Sequence, residues 1–155
     1  TRLPSKLTTL NLSATQLEGA LDFSGLPRLL KQLDLFNNAF TSMNLEQLPE
    51  RVTDLALSHN ALTGAVDFTR LPSTLVRLYL NDNQLSGPVD LTQLPASRVS
   101  LILSNNRFSG TVDLTQLPTS LRILYLRDIK EDHDLFQDEF NVLKQQPRPT
   151  RFRFS

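Results

Sequence analysis

Apolar and polar residues recur along the chain with a period of 22 to 23 positions. A Leu-Pro pair marks this period, because its copies are separated by 23, 22, 23, 23 and 23 residues. The copies are Leu3-Pro4, Leu26-Pro27, Leu48-Pro49, Leu71-Pro72, Leu94-Pro95 and Leu117-Pro118. Within each period, two leucines separated by one residue, such as Leu78 and Leu80, form the period-two pattern of a short strand with one buried face. A fixed repeat of this size predicts a stacked solenoid with one such strand in each coil.

Each Leu-Pro pair is followed by a longer pattern, L-x-x-L-x-L-x-x-N-x-L. The fourth copy shows it in full as Leu75, Leu78, Leu80, Asn83 and Leu85. Three other copies follow it closely, with Thr15 replacing the asparagine in the first copy. The fifth copy has Arg98 where the first leucine belongs, so either one apolar contact is lost there or the arginine stem extends along the edge.

This pattern and its period resemble the leucine-rich-repeat family over about residues 3–130. The segment L-S-G-x-V-D-L-T-Q-L-P, at residues 85–95 and with Phe first at 108–118, resembles protist repeats of the kinetoplastid type and, more distantly, plant repeats. The resemblance implies a right-handed curved coil with a parallel sheet on its concave face and short turns or 3₁₀ segments on its convex face. It also implies that the repeated asparagines turn inward and bond to the backbone of adjacent coils. These ladder residues are Asn38, Asn60, Asn83 and Asn106.

Two further columns predict turns between the strands. A glycine at constant offset from the strand predicts positive φ, and these glycines are Gly19, Gly64, Gly87 and Gly110. Ser42 takes this place in the shortened second copy, so that coil is expected to differ locally. An aspartate precedes a serine or threonine by two residues at Asp22, Asp67, Asp90 and Asp113. We interpret these aspartates as turn residues rather than a calcium column, because stacked carboxylates alone would repel one another.

The chain divides into a solenoid of about six repeats over residues 1–130, a C-terminal capping helix over 131–146 and a basic-aromatic tail over 147–155. The helix is predicted from Phe136, Phe140 and Leu143 at helical spacing, with Pro147 closing it. The alternating tail could add as a strand to a sheet edge or contact a partner. No matching cap precedes Leu3, so we expect further polypeptide or a partner to cover that end.

Composition argues for binding rather than chemistry. Lys plus Arg equals Asp plus Glu at 16 each, so no overall field favours nucleic acid, and there are no cysteines. His59 and His133 have no second ligand at metal spacing, and no phosphate-binding loop or hydrolase motif occurs. We therefore expect no enzyme, metal, cofactor or transmembrane segment, and the sequence does not indicate a compartment. Asn11-Leu12-Ser13 is formally a glycosylation sequon, but it lies inside a predicted strand and is interpreted as accidental.

The presented face of the strands is the candidate site. Its central column turns from polar to large and apolar and reads Asn11, Asp34, Ala56, Tyr79, Ile102 and Tyr125. Flanking positions are Phe36, Val76, Arg77, Val99, Arg122, Ile123 and Arg127. Aromatic residues beside arginines are enriched in protein–protein hot spots, although half-exposed strands favour Tyr, Ile and Val in any case.

From this face we predict a non-catalytic protein–protein interaction module that binds on its concave strand face. Tyr79, Ile102 and Tyr125 would be the anchors, with Arg77, Arg122, Arg127 and Phe36 around them. Two alternatives are a permanent scaffold subunit of a larger assembly and a surface-exposed recognition protein. A recognition module would be monomeric alone, whereas an assembly subunit would associate through its open edge.

Overall fold

The structure, a computed structural model, describes residues 3–95, 97, 99–110, 112, 117, 119, 121–126 and 151–152. Its strands are short, and most coils contain two of them. In chain order they are β1 (Thr9–Asn11), β2 (Glu18–Leu21), β3 (Gln32–Asp34), β4 (Ala39–Met43), β5 (Asp54–Ala56), β6 (Thr63–Gly64), β7 (Arg77–Tyr79), β8 (Gln84–Gly87), β9 (Ser100–Ile102), β10 (Arg107–Phe108), β11 (Ile123–Tyr125) and β12 (Arg151–Phe152).

One strand from each coil contributes to a seven-stranded parallel sheet in the order β1-β3-β5-β7-β9-β11-β12. The register pairs equivalent repeat positions, so that Leu33 pairs with Leu55, and Leu55 with Leu78. The same register continues to Leu101 and Leu124. The regular 22- to 23-residue period therefore becomes a row of leucines that crosses the sheet.

The chain returns from each of these strands through a second, less regular set. Strand β2 pairs with β4, and the order β10-β8-β6 makes a separate three-stranded sheet. Two 3₁₀ turns follow, at Leu45–Gln47 and Phe68–Arg70. The predicted short turns of the return are thus present, and the Leu-Pro pair that follows them prevents a long helix.

The core lies between the seven-stranded sheet and the return segments. Leu30, Val52 and Leu75, which occupy the first leucine position of successive repeats, are fully buried. Val99 was predicted to flank the presented face, and this is wrong, because Val99 is also fully buried. The preceding Arg98 takes the first-leucine position in that repeat, and the neighbouring valine supplies the apolar side chain that the core requires.

The asparagine of each inner repeat bonds to its own coil and to the preceding coil. Asn83 donates from Nδ2 to the carbonyl oxygens of Leu57 (2.9 Å) and Leu80 (3.0 Å), and its Oδ1 accepts from the backbone N–H of Leu62 (3.0 Å). Asn38, Asn60 and Asn106 make the equivalent bonds. These amides satisfy backbone groups that stacking removes from water.

The turn predictions are confirmed wherever the structure describes the residues. Gly19, Gly64, Gly87 and Gly110 all have φ between 82° and 89°. In the second repeat, where Ser42 replaces glycine, the β2–β4 register shifts between Gly19 and Ala20, which is the local difference expected there. Asp22, Asp67 and Asp90 each accept the backbone N–H two residues later at 2.9 Å. Asp113 lies outside the described residues.

The two ends of the solenoid differ. At the C-terminal end β12 pairs in parallel with β11, with Ile123 opposite Arg151, so the alternating tail adds a strand to the sheet edge, one of its two predicted roles. The predicted capping helix over 131–146 lies outside the described residues. At the other end the first coil is less covered, since Leu17 is 39% exposed and Leu10 and Leu12 are only partly buried.

Candidate interaction surface on the strand face

The outward side of the seven-stranded sheet is called the strand face here. In β1, β3, β5, β7, β9 and β11 the central leucine points into the core, and the first and third residues point outward. The register places the third residues in one continuous row. This row reads Asn11, Asp34, Ala56, Tyr79, Ile102 and Tyr125.

The row of third residues is apolar in the half of the strand face nearer the C-terminus. Tyr79, Ile102 and Tyr125 pair in direct register across β7, β9 and β11, and each is half-buried. Ile123, which begins β11, is half-buried on the same face. Because neighbouring strands lie about 4.8 Å apart, the three row positions span about 10 Å. They form one contiguous apolar strip rather than scattered exposed residues.

The half nearer the N-terminus is polar and recessed. Asn11 donates from Nδ2 to Oδ2 of Asp34 (3.2 Å), and Thr9 donates from Oγ1 to Oε1 of Gln32 (3.3 Å). The small side chain of Ala56 follows in the row, just before the large ring of Tyr79. Together they outline a hollow of about 260 Å³ across β1, β3 and β5, with Tyr79 at its border.

Charge on the face is unevenly matched. The guanidinium Nε of Arg77 donates to Asp54 Oδ1, and this hydrogen bond raises the pKa of Arg77 above its ordinary value. The carboxylate of Asp34 instead accepts from neutral donors, the N–H of Phe36 at 3.0 Å and the Asn11 amide. Within the described part of the chain, no cationic side chain forms an ion pair with Asp34.

A polar and aromatic rim borders the face where the strands end. His59 lies 3.1 Å from Asp82 through Nε2, and Asn105 donates to the same carboxylate at 2.6 Å. The ring of Phe36, which is 41% exposed, meets the His59 ring edge-on at 5.0 Å. His59, Asp82 and Asn105 all have φ of 56°, because they occupy one tight turn position that directly precedes the ladder asparagine.

The structure brings most of the predicted contact residues onto one surface. Tyr79, Ile102 and Tyr125 form the strip, Arg77 lies beside it, and exposed Arg122 directly precedes β11. Phe36 lies on the rim, away from the strip. Arg127 lies outside the described residues.

Sequence reasoning missed the recess and the rim as features. The polar hollow follows from the alignment of Asp34 with Ala56 and Tyr79, and the signal for it was the single alanine in an otherwise larger column. The Asp82 cluster joins residues of consecutive repeats, so only the stacking register reveals it.

Among the described residues, no three His, Asp or Glu side chains are grouped in a way that could hold a metal ion. No helix in the described part of the chain is long and apolar enough to cross a bilayer.

The chain is similar to solved plant ectodomains. It matches a chain in the crystal structure of the BIR3–SERK2 complex from Arabidopsis thaliana with 29% identity and a TM-score of 0.63. The match covers 81% of this chain and 71% of the matched chain. It also matches the leucine-rich-repeat ectodomain of the Arabidopsis membrane receptor kinase GASSHO1/SCHENGEN3, in complex with CASPARIAN STRIP INTEGRITY FACTOR 2. There the identity is 31% and the TM-score 0.62, over 85% of this chain and 17% of that one. The fold is that of a leucine-rich repeat.

A third solved structure resembles this chain in fold alone. The BIR2 ectodomain from Arabidopsis thaliana is 23% identical with a TM-score of 0.58, over 78% of this chain and 69% of that one, and this likeness concerns the fold alone. No protein-family model and no curated protein matches the sequence. The narrower resemblance to kinetoplastid-type repeats therefore stays a prediction.

Proposed function

We propose that this leucine-rich-repeat chain is a non-catalytic module that binds a protein partner on its strand face. The observation that carries the proposal is the alignment of Tyr79, Ile102 and Tyr125 in one half-buried row. A rigid, contiguous aromatic and aliphatic strip with an arginine beside it has the composition of a binding hot spot. A partner that covers this strip would bury apolar surface without requiring the sheet to rearrange.

The strand face is proposed to be the concave side of a curved solenoid, as the family resemblance implies. Two of the matched structures are complexes, BIR3 with SERK2 and the GASSHO1/SCHENGEN3 ectodomain with CASPARIAN STRIP INTEGRITY FACTOR 2. By this likeness the module would hold a protein or peptide.

Site-specific photo-cross-linking of the full chain in its source cells tests the proposal. A benzophenone amino acid replaces Ile102 in one variant and Gln93, an exposed residue of the return segments, in a matched control. We expect a discrete protein adduct from position 102 and none from position 93. Equal adducts from both positions, or an adduct from position 93 alone, would show that partners do not use the strand face.

A permanent scaffold subunit is the second candidate, and the first coil favours it. Leu17 is 39% exposed, whereas its counterpart Phe40 in the next coil is 6% exposed. In an assembly, a neighbouring subunit would cover Leu17. Sizing chromatography of the native protein with cross-linking from Lys6 separates the two candidates. A large particle of fixed stoichiometry with Lys6 cross-links supports the scaffold, and a free monomer supports the recognition module.

A further inference from the structure

We infer that the segment bound on the strand face carries a basic residue four positions away from a large apolar residue. The basic side chain would lie over the Asp34 carboxylate in the polar hollow, and the apolar side chain would pack on the strip formed by Tyr79, Ile102 and Tyr125. This inference rests on the proposed function and specifies the chemistry of the partner.

The preference for a basic residue follows from the different bonding partners of the two aspartates at the hollow. Asp54 already has a cationic partner in Arg77, whereas among the described residues Asp34 accepts only from the Phe36 N–H and the Asn11 amide. A partner that covers the half-buried Asp34 removes it from water. A buried carboxylate without a cation is costly, so a neutral or acidic segment would bind less well than a basic one.

The border of the hollow suits an arginine in particular. The Tyr79 ring stands beside the recess, and the adjacent Ala56 leaves room in front of it. A planar guanidinium can form two parallel bonds to a carboxylate while its face stacks on an aromatic ring. The hollow therefore offers both an anionic partner and a ring to one side chain.

The spacing of the motif follows from the register. The basic side chain would lie over Asp34 on β3 and the apolar side chain over Ile102 on β9, and these two strands are separated by three strand intervals, or about 14 Å. A segment extended across the strands advances about 3.3 Å per residue and alternates its side chains, so two side chains that both face the sheet would be four residues apart. Arg122 is exposed at the far end of the strip and would repel a basic residue placed there, so the basic residue belongs at the β3 end.

Selection of peptides against the whole chain tests this inference. A library of random ten-residue peptides displayed on phage is panned on the immobilised protein, and the affinities of the enriched peptides are measured by fluorescence anisotropy. We expect enriched sequences to contain Arg or Lys four positions from an aromatic or large aliphatic residue. The variant Asp34→Asn, which keeps an oxygen for the Phe36 N–H but loses the charge, should weaken binding by about fivefold.

Asp90→Asn is the matched control, because Asp90 accepts a backbone N–H in the same way but lies on the return segments. It should leave the affinity unchanged. Enriched peptides that lack basic residues, or that bind Asp34→Asn as tightly as the parent, overturn the basic-residue inference while leaving binding at the strand face intact. Peptides that also bind Tyr79→Ala and Tyr125→Ala with unchanged affinity count against the proposed function itself. A library that yields no enriched sequence overturns the inference, because it excludes a short linear segment as the occupant.

Discussion

Replacement of Asn83 with alanine should destabilise the solenoid by far more than the loss of one exposed polar side chain. Asn83 is 8% exposed, and its Oδ1 is the acceptor for the N–H of Leu62, which is fully buried. No other acceptor for this N–H is found in the described part of the chain. Alanine would leave a buried donor unpaired at the junction of two coils.

The magnitude follows from which groups lose their partners. The carbonyl of Leu57 still accepts from Asn60, and the carbonyl of Leu80 still accepts from Asn106, so these two acceptors keep one bond each. The Leu62 N–H keeps none, and leaving one buried donor unpaired costs about 1–3 kcal/mol. The small void left by the amide adds to this, so we expect a total loss of about 2–4 kcal/mol in the free energy of unfolding.

Urea unfolding followed by circular dichroism measures this loss, provided that the slope with denaturant is unchanged. Asn11→Ala is the matched control, because the same amide is removed from an exposed position on β1. It should alter the free energy of unfolding by less than about 1 kcal/mol. If Asn83→Ala were no more destabilising than Asn11→Ala, the ladder amides would not be holding adjacent coils together.

Three further predictions concern the strand face and the turns. Tyr79→Ala and Tyr125→Ala should each lower the free energy of unfolding by less than about 1 kcal/mol. Each should also strongly reduce the yield of the partner adduct that forms from the benzophenone at position 102. A large drop in stability with an unchanged adduct yield would show that the tyrosine rings serve the fold and not binding. Gly87→Ala should destabilise the fold by about 1–2 kcal/mol, because φ is +82° and the new Cβ would lie 3.3 Å from Ala65 Cβ. Gly25→Ala is the control, because φ is not positive there and nothing lies within 4 Å of the added Cβ. Thermal unfolding should show that this control is nearly neutral. Hydrogen bonds from the hydroxyl and backbone N–H of Thr69 lower the pKa of Asp67 below the ordinary 3.8, and Thr92 does the same for Asp90. The stabilisation from these turns is therefore complete above the pKa of the unfolded chain and disappears as the pH falls through the lower pKa of the folded chain.

The pH prediction is checked by carbon-detected NMR titration of the aspartate carboxyls together with unfolding midpoints between neutral pH and pH 2. The double replacement of Asp67 and Asp90 by asparagine should show a shallower loss of stability below pH 4 than the parent chain. An identical acid profile in the two proteins would mean that these turns contribute nothing that depends on charge.

The local and repeating features of this protein follow from the sequence pattern alone. The 22- to 23-residue period predicted stacked parallel strands, and Gly19, Gly64 and Gly87 predicted positive φ, because both depend on residues that are near in sequence and recur in most coils. The alternation of Leu78, Tyr79 and Leu80 likewise predicted which of these side chains would point outward.

The way in which non-identical residues of neighbouring coils combine depends on the folded structure. Val99 was expected on the presented face but is fully buried. The repeat has Arg98 at the first-leucine position of its sequence, and a packed interior requires an apolar side chain from a neighbouring position. The pairing of Arg77 with Asp54 and the absence of a cationic partner for Asp34 within the described residues arise between side chains 20 or more positions apart. Charge balance across strands depends on register and side-chain geometry, which a pattern within one repeat does not contain.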